Sequence, residues 1–119
     1  MYTGLILKES LKNTTVLTDA RITITKEETW SVKKKAVDWQ PKAWTAIYIE
    51  GSDKDMEDVA NIVSNSIREK WYANLSDSMT DFVIFHKRIF AYAKGDNDKK
   101  QAARKYGASI GVPEHQLDW

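Results

Sequence analysis

The stretch WSVKKKAVDWQPKAW interleaves Trp30, Trp39 and Trp44 with Lys33, Lys34, Lys35 and Lys42. Aromatic faces stack on unpaired bases and ammonium groups neutralise phosphates, so the pattern has the chemistry that a single-stranded nucleic acid needs. A plainer reading uses the same residues: Trp30 and Trp44 are strand residues facing a core, and the lysines solvate a loop. Trp39, set between Asp38 and Gln40 just ahead of Pro41, is the tryptophan expected at the surface. Trp30, Lys33, Lys34, Lys35, Trp39 and Lys42 are therefore the candidate contacts for nucleic acid or another partner. With at most about four phosphates neutralised, nucleic-acid binding through them would be weak and sensitive to salt.

Catalytic and metal chemistry find less to work with. His86 and His115 could each act as a general base, but a histidine with some carboxylate near it is too common an arrangement to assign. Neither has a cysteine partner or a second histidine at ligand spacing, as a zinc motif requires. Asp96 and Asp98 in GDNDKK lack the ligand pattern of a calcium loop, and both suit a helix N-cap. No nucleophile elbow, phosphate loop or dinucleotide fingerprint occurs. No catalytic residue, metal or cofactor is assigned; an enzyme on this chain would need a site assembled only in three dimensions.

Composition narrows the classes further. At 119 residues the chain has the size of one domain, read as 1–119. Eighteen basic residues against 17 acidic ones leave a charge of +1, less imbalance than a dedicated nucleic-acid or membrane-surface protein carries. The absence of cysteine excludes disulfides, thiol catalysis and thiolate metal sites. No apolar run approaches the roughly 18 residues that span a bilayer, and no signal-peptide core follows Met1, so the cytoplasm is the expected setting and no membrane is expected as a partner.

The elements that must position any site are readable from periodicity. Thr3–Lys8 is a short apolar strand, and Ala43–Glu50 is apolar on both parities, as a central strand is. Ala20–Val32 puts Ile22, Ile24, Trp30 and Val32 on one parity, with a bend or bulge expected near Lys26 to Glu28. Residues 51–70 form an amphipathic helix with the stripe Met56, Val59, Ala60, Val63 and Ile67. Ser52 and Asp55 are placed to form its capping box. Trp71–Ser76, Asp81–His86 and Arg88–Ala93 are joined too tightly for anything but an antiparallel meander. A second helix over 96–110 is capped by Asp96 or Asp98 and stopped by Gly111 and Pro113.

Three stretches, AWTAIYIEG, KWYANLS and GVPEHQLDW, carry a resemblance. The chain resembles a group of small bacterial α+β proteins that share the Lys-Trp-Tyr-Ala-Asn run and a Pro-x-x-Gln-Leu-Asp-Trp ending. The likeness spans about two-thirds of the chain and is weakest before Arg21. It implies no activity and no site residues.

The tail poses its own question. Leu117 and Trp119 follow the helix stop two residues apart, and ordering the eight residues from Val112 costs on the order of ten kcal/mol of backbone entropy. Both side chains are expected to anchor the tail by closing one end of the core; the rival is a free peptide that enters a partner's groove.

The expected fold is α+β, a two-layer sandwich: a mostly antiparallel or mixed sheet of five to six strands with two helices on one face, in the order βββ-α-βββ-α. The expected function is a small non-catalytic binding or interaction domain, with a protein partner or a second copy of itself. Single-stranded nucleic-acid binding through Trp30–Trp44 is the alternative, and an enzyme the third.

Overall fold

The computed structural model describes residues 1–31 and 36–117. Its regular elements run β1 (Tyr2–Leu7), β2 (Thr23–Ser31), β3 (Ala43–Gly51), α1 (Met56–Ser66), β4 (Ala73–Ser76), β5 (Thr80–Phe85), β6 (Arg88–Ala93) and α2 (Asn97–Ser109). The strands form one sheet in the order β2-β3-β1-β4-β5-β6, antiparallel at every pairing. Because β3 and β4 both oppose β1, they run parallel to each other with β1 between them, and α1 carries the chain across. The α+β class, the six-stranded antiparallel sheet, the two helices and the β4-β5-β6 meander are as the sequence predicts.

The stripe on α1 is the seal of one side of the sheet. Met56, Val59, Ala60, Val63 and the following Ile67 are all buried, in one cluster with Tyr2, Ile6, Ile47, Ile49, Leu75 and Ile84. Each of the larger side chains contributes about 1.5–3 kcal/mol by leaving water. The helix ends at Ser66, short of the expected Lys70. Ile67 leaves it to bridge Leu11, while Lys12 N–H donates to Ser66 O at 2.7 Å and Arg68 N–H to Ser10 O at 2.7 Å. These cross-chain bonds replace the last turn that local propensity alone would extend. At the other end Ser52 begins a single 3-10 turn over Asp53–Asp55, and its side chain makes no capping bond, so the capping box does not form.

Alternation along β5 decides where α2 goes. Ile84 belongs to the α1 cluster, while Val83 and Phe85 belong to a second one with Tyr92, Ala103, Val112 and Leu117. Successive side chains on a strand point to opposite faces. The helical layer expected on one face is thereby divided: α1 covers one side of the sheet, and α2 with the tail covers the β5-β6 end of the reverse. Asp96 caps α2, its Oδ1 accepting from Lys99 N–H at 3.2 Å. Gly111, at φ +100°, ends it in a paired closure in which Val112 N–H reaches Gly107 O and Gly111 N–H reaches Ala108 O.

An irregularity in β2 redirects a tryptophan. The register with β3 slips between Ile24 and Lys26, so Thr25 is the extra residue. A bulge of one residue moves every later side chain to the other face. Ile22 is buried, Ile24 is left exposed, and Trp30 arrives opposite Trp44 on the reverse side rather than on the parity of Ile22. The bulge was expected slightly later, at Lys26 to Glu28, and its effect on Trp30 was not anticipated. Among the described residues no helix is long and apolar enough to cross a membrane.

Candidate functional site

On the reverse of the sheet, α2 leaves the β2-β3-β1-β4 end uncovered, and a cleft of about 410 Å³ opens there. Its sheet wall is built from alternate residues: Leu5 and Leu7 of β1, Trp30 of β2, Trp44 of β3, and Tyr72 and Asn74 at β4. Its other wall is the C-terminal tail, through Val112 and Gln116, with Lys70 and Trp71 at the approach to β4. The lining is aromatic and aliphatic with a few polar groups, the usual character of a small-molecule site.

The tryptophans brace one another. Trp44 and Trp71 meet edge to face at 5.5 Å between centroids, and Trp39 meets Trp71 the same way at 5.8 Å. Trp44 Nε1–H donates to Pro41 O at 3.0 Å, which satisfies its polar edge as its ring is buried. Trp39 is 45% exposed, as expected, with the Lys70 amine 5.7 Å from its ring centre. Lys70 itself holds φ +68°, the left-handed region that non-glycine residues rarely adopt.

A buried pair of amides latches the tail to the segment before β3. Gln40 Nε2 donates to Gln116 Oε1 at 2.9 Å and Gln116 Nε2 donates back to Gln40 Oε1 at 2.7 Å. Val37 N–H adds a bond to Gln40 Oε1 at 3.2 Å, and the Tyr72 hydroxyl donates to the Gln116 backbone oxygen. Leu117 is buried beyond it, so close to α2 that a Cβ on Gly107 would stand 2.9 Å from its Cδ2.

Just outside the cleft, Glu28 ties the face together. Its Oε1 accepts from Trp30 Nε1–H at 2.8 Å and from the Tyr48 hydroxyl at 3.0 Å, and its Oε2 lies 3.1 Å from Lys26 Nζ. The hydrogen bond from Trp30, with those from Lys26 and Tyr48, holds its carboxyl below the usual carboxylate range. Glu28 is thus an anion set between the aromatic rings of this face.

The predicted contacts are only partly gathered here. Trp30 lines the cleft; Trp39 stands beside it against Trp71; Lys42 is exposed and contributes nothing to the lining. Lys33, Lys34 and Lys35 lie outside the described residues, as does Trp119. Sequence reasoning missed Lys70, Tyr72, Asn74, Gln40 and Gln116. The alternation of Lys70, Tyr72 and Asn74 was a usable signal; nothing in the sequence pairs Gln40 with Gln116. Both the Lys-Trp-Tyr-Ala-Asn run and the C-terminal ending, through Gln116, supply the cleft.

Elsewhere, polar clusters do structural work. His86 Nδ1 is 2.9 Å from Ile67 O, at the turn that leaves α1. Ser76, Asp81 and Lys94 converge, with Lys94 Nζ 2.6 Å from Ser76 Oγ and 3.0 Å from Asp81 Oδ1. The serine hydroxyl donates to Asp81 at 2.6 Å. An ammonium already paired with a carboxylate donates rather than accepts, so Lys94 does not act as a base toward this serine. Among the described residues no three His, Asp or Glu side chains converge as a metal would need.

No protein-family model, curated protein or solved structure matches the chain.

Proposed function

We propose that this chain is a small non-catalytic binding domain that holds a small molecule with an apolar body in the tryptophan-walled cleft. The observation that carries the reading is the cleft itself. It lies on the uncovered end of a sheet face, with Trp30, Trp44 and Tyr72 among its walls and few polar groups to satisfy. Its volume of about 410 Å³ is within the range that encloses small ligands. Its walls are fixed by ring contacts and by the Gln40–Gln116 latch, so little ordering is left to be done on binding.

Nile red, a neutral dye whose emission shifts to the blue in apolar surroundings, tests this directly. The wild-type chain is expected to bind it, and Leu5→Trp, which places a strand-compatible ring in the cleft, to weaken it by roughly tenfold with an unchanged melt. Equal binding by both proteins would place the dye elsewhere and remove the reading.

Single-stranded nucleic acid is served less well by this face. Trp44 is buried, the Trp30 ring nitrogen is tied to Glu28, and the Glu28 carboxylate would meet an incoming phosphate with like charge. Among the described tryptophans, Trp39 alone is exposed enough to offer a ring for stacking.

A further inference from the structure

Lys70 is the cation at the mouth of the cleft, and three features single it out. Its backbone is left-handed, at φ +68°, where glycine or asparagine would be the low-cost choice. Strain of this kind persists where the surrounding structure holds the residue in place. Its stem is seated on Gly111: a Cβ there would stand 3.2–3.3 Å from Lys70 Cε, Cδ and Cγ. Its amine stands 5.7 Å from the Trp39 ring centre, and among the described residues no carboxylate is within ion-pair distance of it. A lysine whose stem is lodged and whose amine makes no ion pair among the described residues is a prepared anion contact.

Asn74 lines the same cleft, and among the described residues its side-chain amide has no hydrogen-bond partner. It lies four residues beyond Lys70, at most about 13 Å away along the chain. The apolar rings and aliphatic side chains make up most of the remaining lining.

Resting on the binding reading above, we propose that the ligand is an amphipathic acid. Its carboxylate meets Lys70 at the mouth, its ring or branched hydrocarbon body lies among Trp30, Trp44 and Tyr72, and a neutral polar group at its far end meets Asn74. A neutral hydrocarbon would leave Lys70 and Asn74 unused. A polyanion would bring charge close to Glu28, which lies beyond Trp30 on the same face. A single acidic group on an apolar body fits both ends.

The test is displacement of Nile red from the full chain by 2-naphthoate and by 2-naphthamide, which share a ring system and differ in charge. Naphthoate is expected to compete at about tenfold lower concentration, the difference a charge-assisted contact makes. Lys70→Met should weaken naphthoate alone and bring the two compounds level, while Lys70→Arg should keep the preference. Equal competition in the wild type, or a preference that survives Lys70→Met, overturns the acid contact and leaves the cleft as a binding site. Nile red that ignores Leu5→Trp removes the site and the acid preference together.

Discussion

The two sides of the sheet are built on different terms. Under α1 the contacts are mostly aliphatic, and Val59, Ala60, Val63, Ile6 and Ile84 have no measurable exposure. On the reverse, α2 covers only the β5-β6 end. The β2-β3-β1-β4 end is instead framed by tryptophans, by the tail, and by an amide pair that joins residues 76 positions apart. A helix laid along a sheet fills space continuously, because its stripe matches the apolar face beneath it. A tail held at a few points closes one edge and leaves room behind. The difference teaches that the same strands can supply stability through one face and a cavity through the other.

The largest effect expected from that contrast is in the α1 stripe. Val63→Asp would put a carboxylate among aliphatic side chains with nothing to pair it, at a cost above about 4 kcal/mol, so the domain should not fold at ordinary temperature. Asn65→Asp, on the exposed side of the same helix, should melt as the wild type does. Similar melting curves for the two variants would mean that the sealed side is not where stability resides.

A middle effect is expected at the latch. Gln116→Leu leaves the buried amide of Gln40 without its partner, a loss of about 1–3 kcal/mol, or a melting temperature lower by about 4 °C for each kcal/mol. The double variant Gln40→Leu/Gln116→Leu should cost less than the sum of the singles, since it removes both unsatisfied amides. Strict additivity in a thermal-melt cycle would show that the two amides do not act as a pair.

The smallest effect separates the sides by pH. The α1 side carries an ionic tie, in which Arg21 reaches both Asp19, at 2.9 Å, and Asp58 of α1, at 3.5 Å. The hydrogen bond from Arg21 lowers the Asp19 carboxyl from 3.8 to about 2. A carboxyl depressed on folding adds stability that is complete above its unfolded value and is lost as pH falls through its folded value. A shallow decline is therefore expected between about pH 4 and pH 2, and Asp19→Asn should flatten it. The amide latch has no charge to titrate over that window. A decline unchanged by Asp19→Asn would assign the acid sensitivity to other carboxylates.

What the sequence could reveal follows the same division. The α1 stripe was legible because Met56, Val59, Ala60, Val63 and Ile67 recur at helical spacing, and the meander was legible because its turns are too short for any other pairing. The face taken by α2 was not, because Val83, Ile84 and Phe85 are all apolar and a run buried on both sides does not say which helix meets which residue. Trp30 was misplaced by a single residue, Thr25, whose effect on parity depends on where the register slips. The cleft draws on residues from Leu5 to Gln116, and of the contacts predicted in advance only Trp30 lines it. Lys70 gave no sign of its backbone, since left-handed positions are read from glycine and asparagine.

The place of β1 in the sheet also sets the order in which the chain can assemble during synthesis. β1 leaves the ribosome before the other strands of this sheet, yet its neighbours are β3 and β4, which end at Gly51 and Ser76. At about 5–20 residues per second, the 69 residues from Leu7 to Ser76 take roughly 3–14 s to appear. Throughout that interval Leu5, Ile6 and Leu7 have no β4 edge to join, so the nascent chain presents an apolar strand early and sheet closure comes late.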